Sequence, residues 1–503
     1  MIAQRRVAVI GAGVSGLATA YHLTAAGRRP PGTVDLDPDR SVPEVILIEA
    51  DRRLGGKVAT EQLAGLPVDT GPDSILVRAP VADRILTELG LDPLRRAPAG
   101  TGAFVWARGR LRPLPAGSMF GVPDRLWPLL RSGLVGPLGF VRAGADLVLP
   151  RPARPDADPT IEQVLRPRFG RQVFENLIEP MLGGVHAGRA SRLSARSAVP
   201  EVMALASGRR SLYLALRTRR RAAVPGAAAS GATGTAGPAG SAASAAPSGA
   251  ALISLEGGLA RLIDALRAAV EAAPGARVLT GVRVTAVQRA GQGYLVLADG
   301  MPPLAVDDVV IATPAWEAAR LLGPLAPAAA EAAGAIPHAG VATVIVAYRP
   351  ETIGRPLVGT GFLVPPAQGR LLVGCSWLTS KWPQLAGHRV VLLRCMVGRD
   401  GDQAWADLDD DALLAAVRAE LAESMGVTGE PVAVHLRRMP RAMPQYTVGH
   451  ADRLTAITAA LVGLPGVQLT GAGYRGVGIA GCLAQAEATA AAVLGRRLEP
   501  VTA

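Results

Sequence analysis

A glycine-rich turn near the start of the chain has the spacing of a phosphate-binding loop. Gly11-Ala-Gly-Val-Ser-Gly16 follows the apolar residues 6–10 and precedes a helix-like segment at residues 17–26. In this context the glycines permit a tight turn, let the backbone approach a pyrophosphate and direct a helix N-terminus at it. The turn therefore predicts contact with a dinucleotide by Gly11, Gly13, Ser15 and Gly16.

An acidic residue follows the second predicted strand. Residues 45–48 are Val-Ile-Leu-Ile, and Glu49 comes directly after them. A carboxylate at this point can accept both hydroxyls of an adenosine ribose. The alternative is that Glu49 is only a solvated strand end, but its combination with the glycine turn favours the ribose contact.

A second pair of glycines stands between two cations in Arg53-Leu-Gly-Gly-Lys57. Consecutive glycines let the backbone approach a second face of a diphosphate, and guanidinium or ammonium groups neutralise its charge. Arg53, Gly55, Gly56 and Lys57 are therefore predicted to surround a diphosphate.

The elements that must position these residues form a strand, glycine turn, helix and strand, which is a βαβ unit. Residues 28–44, between its helix and second strand, are rich in Pro and Asp and predict a surface insertion. A second insertion is predicted at residues 222–250, which contain only Ala, Val, Pro, Gly, Ser and Thr. Without apolar periodicity or charge, this segment is expected to be flexible.

The remaining patterns predict an α/β fold, α+β overall, with two interleaved domains. Apolar spacing predicts helices at residues 161–182, at 260–273 and from about 479 to 494. Strands are predicted at residues 278–287, 294–298, 308–314, 341–348, 361–364, 371–377, 390–397 and 467–469. The middle of the chain is thus rich in strands, whereas both ends have the pattern of a Rossmann-like domain.

The positive charge of the chain is almost entirely guanidinium. Among 503 residues, 53 Lys and Arg against 41 Asp and Glu give a net charge of +12, and only Lys57 and Lys381 are lysines. Arginine suits planar recognition of carboxylate or phosphate, although a bias in genome composition explains the same excess. The aromatic content of 4% argues against a stacking surface for nucleic acid.

Several other classes of protein are disfavoured. Cys375, Cys395 and Cys482 are widely spaced and form neither a disulfide framework nor a metal motif. No uncharged apolar run reaches the roughly 18 residues that a transmembrane helix needs. Because the first residues lack the pattern of a signal peptide, we expect a cytoplasmic location.

Residues 121–150 form an apolar segment that is interrupted by arginines. Trp127, Leu134 and Phe140 alternate there with Arg125, Arg131 and Arg142. This pattern indicates a helix on an apolar surface, and packing on the core of the protein is favoured over peripheral contact with a membrane.

Taken together, these motifs resemble a known family of flavoproteins. Residues 11–16, 49–50, 53–57 and 68–74 are similar to the N-terminal signature of the protoporphyrinogen oxidase and flavin amine oxidase superfamily. Residues 175–188, 443–450 and 473–479, followed by Cys482, resemble the porphyrinogen oxidases, especially the Gram-positive type that oxidises coproporphyrinogen III. The resemblance covers nearly the whole chain except residues 28–44 and 222–250.

This resemblance implies a three-part fold. A discontinuous Rossmann-like FAD-binding domain is expected at residues 1–75, 251–315 and 440–503. A mixed-sheet substrate-binding domain is expected at residues 76–95, 189–221 and 316–439, and a helical lobe at residues 96–188. In membrane-bound relatives the lobe contacts the bilayer; here lipid, a ferrochelatase-like enzyme and the protein's own core are open alternatives.

The resemblance also implies a reaction in haem biosynthesis. Coproporphyrinogen III would lose six electrons in three cycles of hydride transfer to flavin N5, and three O2 would become three H2O2. The same chemistry on protoporphyrinogen IX, a more distant amine oxidase, and a flavin-binding partner of haem synthesis without activity are the alternatives. No nucleophile, metal or nucleic acid is implied.

Site residues follow from the matched motifs. The residues implied to bind FAD are Gly11, Gly13, Ser15, Gly16, Glu49, Ala50, Arg53, Gly55, Gly56, Lys57, Gly71, Pro72, Asp73, Ser74, Val284, Val477, Gly478 and Ile479. Gly188 matches the position beside the reacting carbon, and Arg78 is the candidate partner of a propionate. Ala103 stands before Phe104 where membrane-type relatives place a propionate-binding arginine, so their substrate geometry does not transfer.

Overall fold

The computed structural model describes residues 4–25, 42–77, 80–99, 102–115, 118–148, 158–208, 210–222 and 252–496. The chain divides into two compact units, each assembled from separate segments. The first unit comprises Met1–Ala97, Ser248–Pro337 and His450–Ala503, and the second comprises Pro98–Pro247 and His338–Gly449. Most of both predicted insertions, and Arg78, lie outside the described residues. The finer division into three domains stays a prediction.

A five-stranded parallel sheet forms the centre of the first unit. In spatial order its strands are Ala276–Thr280, Glu44–Glu49, Arg6–Ile10, Asp308–Ile311 and Val467–Leu469. Side chains alternate between the two faces: Val7 and Val9 pack in one apolar cluster, and Ala8 and Ile10 pack in another. Burial of both faces explains the continuous apolar runs of these strands.

Helices pack against both faces of this sheet and complete the two apolar clusters. On one side, Val14–Ala25 packs with Ala260–Glu271 and Ile479–Gly495. On the other side, Ala315–Leu322 contributes to the second cluster. The remaining α-helices among the described residues of this unit are Pro80–Glu88, Pro327–Gly334 and His450–Leu461.

Small antiparallel sheets complete the first unit. The first is a meander of three strands, Val284–Ala290, Gly293–Ala298 and Leu304–Val306. The second is a hairpin of Thr60–Leu63 and Leu66–Asp69. The third joins strands that are distant in sequence, in the spatial order Ile75–Leu76, Leu252–Leu255 and Arg95–Arg96.

One strand that the sequence predicts as continuous, at residues 278–287, is divided in the structure. The strand Ala276–Thr280 belongs to the parallel sheet, whereas Val284–Ala290 begins the antiparallel meander. Gly281 lies between them with φ of +72°, a backbone conformation that β-branched residues avoid. The prediction of a single strand was therefore wrong at this glycine.

The second unit is built on a seven-stranded mixed sheet. In spatial order its strands are Ala433–Pro444, His338–Tyr348, Val391–Val397, Leu372–Trp377, Gly361–Leu363, Phe104–Ala107 and Arg110–Pro113. The helix Asp410–Met425 buries Leu413, Val417 and Leu421 in the same apolar cluster as residues of the sheet. Ser118–Met119 and Val122–Pro123 form a separate hairpin.

The helix predicted at residues 161–182 is interrupted. Ile161–Phe169 ends at Gly170, which has φ of +78°, and a π-helical turn at Phe174–Ile178 precedes the helix Glu179–His186. The other α-helices among the described residues of this unit are Leu126–Ser132, Pro137–Gly144, Arg171–Val173, Ala195–Ala198, Pro200–Gly208, Leu212–Ala222 and Leu378–Lys381. None of the described helices is long and apolar enough to cross a bilayer.

In the described part of the apolar segment, residues 121–148, the two α-helices are Leu126–Ser132 and Pro137–Gly144. Leu129 and Leu134 are fully buried, as the core-packing hypothesis expects. Trp127, Leu138 and Val141 are instead exposed. The segment therefore packs on the second unit through one face and presents apolar side chains on another.

Candidate dinucleotide site

The predicted phosphate-binding turn lies where the parallel strands of the first unit end. Ile10, Glu49, Ile311 and Leu469 are the last residues of four parallel strands, so the loops after them meet at one edge of the sheet. The strand Arg6–Ile10 lies between two neighbours in the sheet. The next strand of the sheet along the chain, Glu44–Glu49, pairs on one side of it, and the later strand Asp308–Ile311 pairs on the other. Such a switch point opens a crevice for a ligand.

The glycines of the turn serve different purposes. Gly11 has φ of +96°, and a Cβ atom built on Gly16 would lie 1.8 Å from the Gly11 carbonyl oxygen. Both positions therefore require glycine for the fold itself. A Cβ atom on Gly13 would meet nothing within 4 Å among the described residues, and this glycine leaves open space at the N-terminus of Val14–Ala25. That space suits a diphosphate.

Glu49 connects the end of its strand to the glycine turn. One carboxylate oxygen accepts a hydrogen bond from the Ala12 N–H at 2.6 Å, and the other accepts from the Asp51 N–H at 3.0 Å. A carboxylate has about four acceptor positions, so these bonds leave capacity for two ribose hydroxyls. Glu49 is thus fixed in orientation before any ligand binds.

The second glycine pair lies directly against the first turn. The Gly55 N–H donates to the Ala12 carbonyl at 2.8 Å, and Gly13 and Gly55 form an isolated parallel bridge. Gly55 and Gly56 have φ of +98° and +56°. The two glycine motifs, about 40 residues apart in the sequence, therefore form one backbone surface.

Arg53 holds this second loop together. Its guanidinium donates to the carbonyls of Leu54 and Val58 at 2.9 Å each and to the carbonyl of Gly56 at 2.6 Å. The sequence assigned Arg53 to the diphosphate itself. The structure gives it a positioning task in the loop, while direct contact with a diphosphate stays a prediction.

A second helix N-terminus reaches the same region. Gly478, with φ of +95°, caps the helix Ile479–Gly495, which packs against Val14–Ala25. Burial raises the pKa of the Cys482 thiol, although a hydrogen bond from the Ser15 hydroxyl and the charge of Lys57 act in the opposite direction. The Ser15 contact joins the first turns of the two helices, so their two positive ends lie close together.

Two threonines that the sequence analysis missed belong to this site. Thr313 and Thr470 each follow a parallel strand by one or two residues, and both hydroxyl oxygens are buried without a hydrogen-bond partner among the described residues. Gly471, next to Thr470, lies near the Ser15 hydroxyl. Buried hydroxyls normally have a partner, so their state fits a site that binds a polar ligand. Their position after strand ends was the available signal.

Val284 and the segment at residues 71–74 occupy the same unit. The Val282 N–H donates to the Glu49 carbonyl at 2.9 Å, which places the start of Val284–Ala290 beside the ribose candidate. The Val284 carbonyl accepts from Arg320 at 2.7 Å. In the other segment, Gly71 is buried, Pro72 is partly buried, and the Ser74 hydroxyl donates to Asp73 at 3.1 Å. The ligand contacts of these residues stay predictions.

Gly188, the predicted substrate residue, lies in the second unit and is held from several sides. Gln445 donates to the His186 carbonyl at 2.8 Å, and the Asp400 N–H donates to the Ala187 carbonyl at 2.7 Å. A Cβ atom on Gly188 would lie 2.6 Å from the Gln445 amide oxygen and 2.7 Å from Leu193 Cδ1. An alanine here would therefore force the Gln445 and Leu193 side chains to move, which is a reason for glycine that the sequence did not show.

The electrostatics around Gly188 are set by burial. Burial lowers the pKa of His186 to about 4, so its imidazole is uncharged at neutral pH. The guanidinium of Arg189 donates to the Asp400 carbonyl at 2.8 Å. Among the described residues, no group of His, Cys, Asp and Glu has the arrangement of a metal site.

Comparison with known proteins identifies the family. The profile of the family described as "Flavin containing amine oxidoreductase" matches residues 14–494. The chain belongs to this family. It is therefore a flavin-dependent oxidoreductase, and the predicted superfamily, fold class and type of enzyme are confirmed.

Individual relatives match over almost their whole length. A Bacillus subtilis (strain 168) protein named coproporphyrinogen III oxidase is 31% identical over 487 residues, 96% of this chain and 97% of the relative. A Propionibacterium freudenreichii subsp. freudenreichii protein of the same name is 34% identical over 504 residues, 97% of this chain and 90% of the relative. A crystal structure from Exiguobacterium sp. 255-15, provisionally named a protoporphyrinogen oxidase, superposes with a TM-score of 0.82 at 27% identity and covers 98% of this chain and 99% of that protein.

Proposed function

We propose that the flavin is bound as FAD. Support comes from the two kinds of contact that a dinucleotide needs. Open space above Gly13 faces a helix N-terminus for the diphosphate. Glu49 is hydrogen-bonded to the same turn, and backbone N–H groups orient both of its carboxylate oxygens, as a ribose contact requires. A mononucleotide flavin would leave this ribose position unused.

We propose that the protein oxidises coproporphyrinogen III to coproporphyrin III in haem biosynthesis. Six electrons leave the substrate, and three O2 become three H2O2. The observation that carries this proposal is the near full-length similarity to the two coproporphyrinogen III oxidases. The candidate dinucleotide site described above supports the proposal, because this chemistry needs a bound flavin.

The residues of the chain bind and orient rather than react. A bound FAD supplies hydride acceptance and the return of electrons to O2. The two helix N-termini and the glycine turn hold the diphosphate, and Glu49 holds the ribose. In the second unit, Gln445 fixes the backbone at His186 next to Gly188, which we propose as a substrate contact. The uncharged His186 adds no positive charge there at neutral pH.

Protoporphyrinogen IX is the second candidate substrate. The similarity to the Exiguobacterium structure favours it, since that protein carries a protoporphyrinogen oxidase name. Coproporphyrinogen III carries two propionates at the positions where protoporphyrinogen IX carries two vinyl groups. Porphyrinogen and O2 are thus the proposed small-molecule partners in either case.

Contact with a ferrochelatase-like enzyme also stays a prediction, for which Trp127, Leu138 and Val141 offer an exposed apolar surface.

A product assay tests the proposed function. Coproporphyrinogen III, prepared without oxygen, is mixed with purified FAD-loaded protein and air, and porphyrin fluorescence and H2O2 are both measured. We expect coproporphyrin III with three H2O2 formed per porphyrin. Protein that retains flavin but forms no porphyrin above the uncatalysed rate would refute the proposal.

A further inference from the structure

A cavity of about 390 Å³ lies in the second unit, where the strand His338–Tyr348 ends and Val391–Val397 begins. Its polar lining includes Arg355, Thr379 and His388, and its apolar lining includes Ile353, Leu357 and Val391. The lining contains no Asp or Glu. The cavity is open to solvent and its lining is more polar than apolar, so polar and charged side chains are its main contacts for a ligand.

Arg355 is the only lining residue whose side chain is permanently charged. Its guanidinium carbon lies 5.3 Å from the ring centre of Phe104 and 5.8 Å from that of Trp377. The Nε atom is buried without a hydrogen-bond partner, and no described residue forms an ion pair with this side chain. The two rings hold the guanidinium in place but do not neutralise it.

Two other stacked arginines of the same unit are paired with carboxylates, whereas no described carboxylate pairs with Arg131, which lies over the exposed Trp127. Arg370 lies 5.0 Å from the ring centre of Trp106 and pairs with Glu423. Arg438 lies 5.8 Å from the ring centre of Trp405 and pairs with Asp410 at 2.8 Å. Arg355 therefore lacks the carboxylate that these two stacked arginines have.

Partial burial lowers the pKa of the Arg355 guanidinium, and no charged neighbour contributes to that shift. An arginine nevertheless stays protonated throughout the physiological pH range. A partly desolvated positive charge without a counter-charge is stabilised by an anion from solution, and the planar guanidinium best fits a carboxylate.

The cavity is separate from the region of Gly188. Val391, at the start of its strand, lines the cavity. The same strand ends at Val397, and Asp400, just beyond it, donates to the Ala187 carbonyl at 2.7 Å. A strand of this length spans roughly 20 Å. The cavity and the predicted substrate residue thus lie at opposite ends of one strand.

We propose that this open cavity is a second ligand site, which binds a small carboxylate. The carboxylate pairs with Arg355, and the rest of the ligand lies against Ile353, Leu357 and Val391. Thr379 and His388 provide further polar contacts at the rim. This site is independent of the proposed oxidation, because none of its residues belongs to the dinucleotide site or contacts Gly188.

Calorimetric titration of the full-length, flavin-loaded protein with benzoate tests the proposal. Benzyl alcohol, which has the same ring without the charge, is the ligand control. We expect benzoate to bind at least tenfold more tightly than benzyl alcohol, and Arg355→Gln to remove that difference. Arg349→Gln is the matched variant, because it removes the same charge from a nearby exposed residue outside the lining. Equal binding of the two ligands, or benzoate binding unchanged by Arg355→Gln, would overturn the proposal.

Crystals soaked with 4-bromobenzoate give a second test that does not depend on a folded variant. The bromine anomalous signal locates the ligand directly. We expect a peak inside the cavity, with the carboxylate within hydrogen-bond distance of Arg355. A peak only elsewhere in the protein, or none at a concentration that saturates the calorimetric signal, would contradict the assignment.

Discussion

The Glu49 carboxylate accepts a hydrogen bond from the Ala12 N–H at 2.6 Å, and this contact joins the end of one parallel strand to the glycine turn after its neighbour. The contact fixes the position of Glu49 relative to the glycine turn, although the two are far apart in sequence. The second bond of the carboxylate, from the Asp51 N–H, orients it further. Glu49 therefore arranges the site as well as offering acceptors to a ribose.

Replacement of Glu49 by alanine should weaken FAD binding. Loss of charge-assisted hydrogen bonds to ribose, each contributing about 1.5–3 kcal/mol, predicts a dissociation constant at least tenfold higher. Fluorescence titration of the flavin-free protein with FAD measures it. Glu44→Ala is the control, because Glu44 lies at the other end of the same strand, paired with Arg6. Equal weakening by both variants would remove the assigned role of Glu49.

Two glycines of the turn should respond differently to alanine. A methyl group on Gly13 meets open space, so Gly13→Ala should change the free energy of unfolding by no more than about 1 kcal/mol while reducing FAD affinity at least tenfold. A methyl group on Gly16 would lie 1.8 Å from the Gly11 carbonyl oxygen, so Gly16→Ala should destabilise the fold by at least about 2 kcal/mol. Thermal melting of the flavin-free variants and FAD titration separate the two effects. Unchanged FAD affinity in Gly13→Ala would show that the open space is not the diphosphate position.

A double substitution can separate packing from substrate contact at Gly188. Gly188→Ala should lower stability by about 1–3 kcal/mol, because its Cβ atom would lie 2.6 Å from the Gln445 amide oxygen. Adding Gln445→Ser should recover part of that stability through coupling between the two sites. If Gly188 also contacts substrate, kcat/KM with coproporphyrinogen III should stay at least tenfold lower in the double variant than in Gln445→Ser alone. Full recovery of kcat/KM would assign Gly188 to packing only.

His186 should make stability depend on pH. Its pKa is lowered from 6.5 to about 4 by burial, so between these values the unfolded state binds a proton that the folded state does not. Stability from this residue is therefore complete above pH 6.5 and is lost as pH falls toward 4, by up to about 3 kcal/mol.

The variant His186→Gln isolates this contribution. When the pH is lowered from 7 to 4.5, the melting temperature of the wild type should fall further than that of His186→Gln. His388→Gln, at an exposed position, should behave as the wild type does. Parallel losses in the wild type and in His186→Gln would contradict the assigned pKa.

The glycine turn and the strand before Glu49 were predictable because their signals are local. A buried strand, a fixed glycine spacing and a helix start lie within a few residues of one another. Thr313 and Thr470 also follow strands, but neither has both a glycine turn and a helix start within a few residues of it. They reach the site only because parallel strands distant in sequence end at the same edge, and that order depends on the tertiary fold.

The strand Ala433–Pro444 also escaped prediction. It lies at the edge of the seven-stranded sheet and contains Pro440 together with several arginines. Edge strands tolerate proline and charge, since one side pairs with no neighbour, so the usual alternation of apolar residues is lost. The packing of Gln445, just beyond this strand, against Gly188 was equally hidden from the sequence.

The preference between the two porphyrinogens tests the central claim most directly. Coproporphyrinogen III and protoporphyrinogen IX are each prepared without oxygen and offered in air to the same FAD-loaded protein, and porphyrin fluorescence gives kcat/KM for each. The proposed function predicts a value at least tenfold higher for coproporphyrinogen III. Equal values, or a higher value for protoporphyrinogen IX, would contradict it.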